Sequence, residues 1–283
     1  MKFWKRWRSR RRANDAVLFR AHAHTPASER ELKRLAGELG GAYDVWLVGY
    51  CLTSGQLDEF HYDRTLAYQQ ADLVALAYPG KFADVDWQNP VGHNDLPVMK
   101  FFQDHPGYER LWIVEYDVRF SGPWSTLFSD LASSSADILS TTVQTYTENP
   151  AWHHWAFIRT AEDTVPLGRM VKGFMPFSRL SRAALAAIHE RYRAGWSGHY
   201  EGTWATIASL RGLAIEDIGG SGSFVPPRRR GMYYSNASLD PDLSPGTFVY
   251  RPPFAEEELS ASSPMAMEIA RISPGVLWHP VKS

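Results

Sequence analysis

Two short β-prone runs flank one amphipathic helix near the start of this chain, and that order limits the fold more than any other feature. Ala16–Arg20, AVLFR, is apolar and strand-like. Ser28-Glu29-Arg30-Glu31 carries the Ser-x-x-Glu pattern of a helix start, where side chains satisfy amide groups that the first turn leaves open. Leu32, Leu35, Ala36 and Leu39 then recur on one helical face, and Gly40-Gly41 supplies a stop. Tyr43–Cys51, YDVWLVGYC, reads as a second strand. A strand, a helix that must bury one face and a further strand form the opening unit of a parallel sheet. At 283 residues and 44% hydrophobic, the chain has the material for one large core. The expected fold is therefore α/β: a single Rossmann-like domain whose mostly parallel central sheet is flanked by helices.

The same alternation continues. Residues 64–78, RTLAYQQADLVALAY, fit a helix, or a helix followed by a strand. HNDLPVMKFFQDH predicts a helix with Asn94 or Asp95 near its cap, leading into a strand over Leu111–Val114. Pro123 sits where a first helical turn tolerates it, ahead of WSTLFSDL. Ala136–Val143 is another strand. GFMPFSRLSRAALAAIHERY reads as a short strand turning into a helix, with Leu180, Ala184, Ala187 and Ile188 as the buried stripe. A second helix and a strand follow in GHYEGTWATIASLRGLAIEDIGG. Residues 219–247, rich in Gly, Pro, Ser and Arg, read as a long loop, and TFVYRPPF as a late strand. TENPAWHHWAFI stands out for its aromatic rings. Eleven tryptophans suit the stacking of sugars, although most are expected in the core.

Chemistry concentrates in RLWIVEYDVRFSGPW. The apolar run Leu111-Trp112-Ile113-Val114 ends in Glu115 and Asp117, one residue apart. In open α/β sheets the binding crevice lies beyond the carboxyl ends of the strands. Two carboxylates there cannot both be buried ionised without compensation. A divalent cation with hard oxygen ligands, Mg2+ or Mn2+, provides it and also holds substrate phosphates. The plainer alternative is a turn in which Asp117 caps the next helix and Glu115 is solvated.

In this setting WIVEYDVRFSGPW resembles the Asp-x-Asp-type motif of GT-A glycosyltransferases, closest to a little-characterised bacterial and fungal group. That resemblance implies that Asp117 ligates the metal bridging the phosphates of a nucleotide-sugar. Glu115 would meet the metal through water, or meet the ribose, with Glu standing where the family has Asp. HYEGTWATIASLRG is similar to the acid-then-helix segment of inverting GT-A enzymes. It implies Glu201 as the general base, with Gly202 in place of a second acid. Inverting transfer needs one base to take the acceptor hydroxyl proton. The alternative is that Glu201 only favours a helix N-terminus. The ending LWHPVKS resembles the segment that brings a C-terminal His back to the metal and a Lys to the phosphates, here His279 and Lys282. Arg20, closing the first strand, is assigned to the nucleotide-sugar with them. The resemblance divides the chain into a nucleotide-sugar-binding half, 14–145, and an acceptor-binding half with a C-terminal extension, 146–283. The expected donor is a UDP-sugar and the acceptor a glycan or glycolipid.

Other candidates have plainer readings beside the chemical one. Asp217 is a rival base or a strand-end acid. GGSGS at 219–223 would cradle phosphate only if a helix followed. His153, His154 and His199 lack the spacing of a zinc site. PPRRRG at 226–231 reads as a solvated loop, and Arg179 and Arg182 as solvated or facing substrate.

Composition sets the remaining expectations. A net charge of −1 gives no global field for nucleic acid. One cysteine excludes an internal disulfide and fits a reducing, cytoplasmic compartment. MKFWKRWRSRRR lacks the apolar core of a secretory signal. It reads as a disordered basic arm over residues 1–13. Alternatively, residues 1–12 are a peripheral anchor, with about 1 kcal/mol per basic residue on an anionic membrane. Two readings compete with glycosyl transfer. A sugar-phosphate nucleotidyltransferase would want a Gly-rich, basic loop after the first strand, where FRAHAHTPASER has no glycine. A catalytically inactive carbohydrate-binding homologue in an envelope-assembly complex accommodates Gly202 and Glu115.

Overall fold

The computed structural model describes residues 13–50, 52, 54–83, 93–160, 164–234, 254–255 and 275–282. Residues 1–12 of the basic arm, Cys51, residues 235–247 of the long loop and most of the late strand lie outside them. β1 (Asp15–Ala21), α1 (Pro26–Leu39) and β2 (Asp44–Tyr50) form the expected opening unit. Next come α2 (Ser54–Asp58), β3 (Thr65–Tyr68), α3 (Gln70–Val74), α4 (Pro79–Phe82) and α5 (Asp95–Asp104). β4 (Arg110–Glu115), β5 (Arg119–Phe120), α6 (Trp124–Ala132) and β6 (Ile138–Thr145) follow. The second half holds β7 (Val171–Ser181), α7 (Arg182–Arg193), α8 (Tyr200–Leu210) and β8 (Ile215–Asp217). Three two-residue strands complete the set: β9 (Phe254–Ala255), β10 (Leu277–Trp278) and β11 (Val281–Lys282).

Seven strands make one sheet in the order β3-β2-β1-β4-β7-β6-β8. The first four run parallel, and β8 runs parallel to β6. β7 alone is reversed, antiparallel to both β4 and β6. Alternating side chains feed two apolar layers, as strand geometry requires. Ala16 and Leu18 of β1 join a layer with residues of α3, α5, α7 and α8, while Val17 and Phe19 join one with residues of α1 and α6. The fold is thus a single Rossmann-like α/β domain. Phe177 pairs with Val114, so residues 171–175 of β7 overrun the end of β4 and wall the crevice there.

Several local expectations are corrected. Helix α1 is capped by Thr25, not Ser28. The Thr25 side chain accepts from the Ser28 amide at 3.0 Å, and Ser28 answers the Thr25 amide at 2.9 Å. Pro26 at the first position fixes that start. Glu31 instead turns inward and accepts from the Trp124 indole at 2.7 Å. RTLAYQQADLVALAY is a strand then a helix, the reverse of the expected order. Gln69 and Asp72 form a reciprocal cap that starts α3 one residue after β3 ends. Ala187 is only partly buried, and α7 adds Leu185 and Tyr192 to the buried set. Arg179 is neither solvated nor facing substrate. It is fully buried, gives three hydrogen bonds to the carbonyls of Leu131, Ser134 and Ala136, and lies over the Trp112 ring. Arg182 ties α7 to the carbonyls of Pro106 and Tyr108.

Lys81 and Asp95 form an ion pair of 2.7 Å with no exposure on either side chain. The ammonium also donates to the Gly198 carbonyl at 2.8 Å, and Tyr192 donates to the same Asp95 oxygen at 2.6 Å. Removing one member of such a pair strands the other's charge in the core. Lys81→Met should therefore lower unfolding stability by about 3–5 kcal/mol, read by urea titration. A loss under 1 kcal/mol would mean that the core accommodates Asp95 without its cation.

Candidate functional site

Glu115 is the last residue of β4, and Asp117 stands in the tight turn after it, closed by the Val118 amide on the Glu115 carbonyl at 3.0 Å. Backbone bonds then bring in the distant chain end. β5 pairs antiparallel with β10, and the Val281 amide donates to the Asp117 carbonyl at 2.8 Å. This stitching puts His279 Nε2 3.5 Å from Asp117 Oδ1 and Lys282 Nζ 2.5 Å from Oδ2. Glu115, Asp117 and His279 each offer a ligand atom, all within 4.8 Å of one another.

Arg20 pairs in register with Glu115 on the neighbouring strand, with Nη1 3.8 Å from its carboxylate and Nη2 donating to Asn94 at 2.7 Å. Asn94 and the Tyr200 hydroxyl also donate to Glu115, at 3.3 and 3.4 Å. Burial pushes the Glu115 carboxyl above its ordinary pKa; Arg20 opposes the rise and Asp117 adds to it. Burial pushes Asp117 the same way, but His279 and Lys282 outweigh it and hold that carboxyl well below the usual range. One Asp117 oxygen, Oδ1, is sealed from solvent and accepts no hydrogen bond. A buried anionic oxygen open toward a second carboxylate and an imidazole suits a divalent cation, so the residues fit the metal that the motif implies.

Glu201 lies in the first turn of α8, not before it, and is 9% exposed. Burial raises its pKa to about 7, against the pull of Lys172, and the Met175 amide donates to it at 3.4 Å. Lys172 and Met175 both belong to the overrunning part of β7. His199 Nδ1 is 3.8 Å from Glu201 Oε2, but burial drives its pKa down to about 2, so the imidazole is neutral there. Gly202 has a steric reason. A Cβ at that position would come within 3.0 Å of Ile158 and of the Trp152 ring. A second acid beside Glu201 would need Ile158 and Trp152 to give by a few tenths of an ångström.

The remaining candidates are engaged elsewhere. Asp217 has no exposure and accepts from the amides of Val143, Gly219 and Gly220 and from the Tyr234 hydroxyl. The first two amides of GGSGS are therefore spent on Asp217. Arg229 is 3% exposed and pairs with Glu216, so PPRRRG is not simply a solvated loop. The sequence reading missed Lys172, Asn94, Tyr200 and the Met175 amide as site groups. A lysine at the start of a largely apolar strand, in VKGFMPF, was the available signal for the first.

Fold and site together define a Rossmann-like α/β domain with an acid–histidine cluster at the carboxyl edge of its sheet and a raised-pKa carboxylate nearby. No family model matches the chain, and no curated protein does. Among solved structures it is similar to a protein described as a glucose-1-phosphate thymidylyltransferase from Bacillus anthracis, in complex with a sucrose. The TM-score is 0.41 at 9% identity, over 72% of this chain and 86% of that one. So distant a likeness carries no argument about function. Among the described residues no helix is long and apolar enough to cross a membrane.

Proposed function

We propose that the chain is a metal-dependent transferase acting on a nucleotide-sugar, and that the transferred group is the sugar. The observation that carries the reading is Glu201, a buried carboxylate whose pKa of about 7 suits a general base, beside the Glu115–Asp117–His279 cluster. Asp117, His279 and Glu115 would hold Mg2+ or Mn2+, which would neutralise charge on the departing nucleoside diphosphate. Lys282 sits where it can follow a phosphate oxygen once it leaves Asp117. Arg20 holds Glu115 in place from the neighbouring strand, so its role is to position that acid. Glu201 takes the proton of the acceptor hydroxyl as the oxygen attacks the anomeric carbon. The Met175 amide keeps that carboxylate oriented.

Lys172 supports a second reading. A buried cation beside Glu201 also suits the phosphate of a sugar phosphate, as nucleotidyl transfer requires. The two reactions release different products. With manganese, the glycosyl reading expects UDP from UDP-sugars plus glycan acceptors. Nucleotidyl transfer expects pyrophosphate from a nucleoside triphosphate plus a sugar 1-phosphate. Pyrophosphate without any nucleoside diphosphate would overturn the first reading in favour of the second.

A further inference from the structure

The connection between β6 and β7 carries a wall of aromatic rings that neither the metal cluster nor the base uses. Trp152 is half-buried, with its ring edge against Gly202 and Lys172 Nζ 5.6 Å above its ring centre. His154 stacks on His199 at 4.1 Å with 24° between the planes, and His199 stacks in turn on Tyr200 at 5.2 Å and 21°. Trp152 meets His154 edge-on at 5.0 Å. Farther out lie His153, exposed, and Phe157, 51% exposed. This ladder begins beside Glu201 and ends in solvent.

A core does not explain it. Among the described residues the fully buried tryptophans are Trp112, Trp124, Trp204 and Trp278, and Trp152 is not among them. Phe157 is left exposed and Trp152 only partly buried, and apolar surface rimmed by polar groups marks binding sites. The chemistry of the wall is also selective. The face of an aromatic ring is electron-rich and attracts positively polarised hydrogens. A pyranose ring presents such C–H groups on one face and hydroxyls round its edge. The polar groups at the inner end of the ladder are Glu201, Lys172 and His199, which suit hydroxyls; a lipid chain would leave them unmatched. The acid–histidine cluster has its own rings, but Lys282 lies over Tyr116 and His279 meets Phe174 edge-on, so both are already engaged.

We infer that this wall, centred on Trp152 with His154 and Phe157 at its outer side, is a sugar subsite that takes the acceptor hexopyranose and aims one hydroxyl at Glu201. The assignment rests on the transferase reading for its orientation, but not for sugar binding itself. Trp152 and Phe157 are positioning residues under this assignment.

Two measurements separate the wall from the reaction. The first is binding of the full-length parent to immobilised oligosaccharides ending in glucose, galactose, mannose, N-acetylglucosamine or rhamnose, without donor or metal. At least one should bind, with a loss of about tenfold in Trp152→Ala and about threefold in Phe157→Ala, whose side chain is exposed and dispensable for folding; Trp152→Phe should recover part of the loss. The second is manganese-dependent binding of UDP, which should be unchanged in all three variants. No binding to any of these glycans, or equal binding by parent and variants, would overturn the subsite. Loss of UDP binding rather than glycan binding in Trp152→Ala would overturn it too, giving the wall to the nucleotide. Glycan binding that depends on Trp152 in a protein inactive with every donor would leave the subsite standing and remove the transferase reading.

Discussion

Asp117→Asn should abolish stabilisation by manganese and a nucleoside diphosphate together. At a ligand concentration near a hundred times Kd, binding to the folded state adds about 2.7 kcal/mol, or roughly 5–10 °C in Tm for a domain of this size. The parent should show that rise and the variant none. The reason is local. Asp117 Oδ1 is the sealed oxygen of the cluster, and an amide at that position carries no charge to offer a cation. The variant should still fold, because the side chain's partners are His279 and a partly exposed Lys282, and the turn is held by the backbone bond from Val281 to the Asp117 carbonyl. An equal rise in the variant would place the metal diphosphate elsewhere on the molecule.

Glu201→Gln should lower kcat by about 10²–10⁴-fold, the usual contribution of a general base. Donor KM should barely move, since the base acts on the acceptor proton and not on the diphosphate. The pH profile gives an independent check. A base with a pKa of about 7 is ionised only above that value, so parent turnover should rise through pH 7 and level off. The variant should lose that inflection. Stability runs the other way. Burial raises the Glu201 pKa above its unfolded value, so the folded state holds the proton more tightly. Between about pH 4.5 and pH 7 parent stability should fall as pH rises, and the glutamine should remove that part of the slope. Asp217→Asn is not a kinetic control. Its four donors would meet an amide that cannot accept all of them, so its effect should fall on folding. Normal turnover in Glu201→Gln would mean that another group takes the proton.

The sequence showed much of this because period and punctuation are local properties. Ala16–Arg20, the Leu32–Leu35–Leu39 face and Gly40 specified a strand, a helix and a stop, and nothing distant opposed them. Glu115 and Asp117 were legible for the same reason: an apolar strand that ends in acids is unusual wherever it occurs. Residues whose role depends on partners far along the chain were not legible. Arg179 looked available until three carbonyls from residues 131–136 were seen to surround it. Lys172 reaches Glu201 only because β7 is reversed and overruns β4, which no periodicity announces. Gly202 was a missing acid in the sequence and is a close contact with Ile158 and Trp152 in the structure. The order of β3 and α3 was misread because Gln69 and Asp72 cap a helix that the apolar run alone would start earlier.

The bond from Lys282 to Asp117 spans 165 positions of sequence. The residues between must all be made before the cluster has its imidazole and its ammonium. A nascent chain that has completed the seven-stranded sheet already displays Glu115, held by Arg20, Asn94 and Tyr200, but its Asp117 still lacks His279 and Lys282. The cluster is thus completed after the scaffold, and a chain cut short of His279 would carry the sheet without the imidazole and the ammonium.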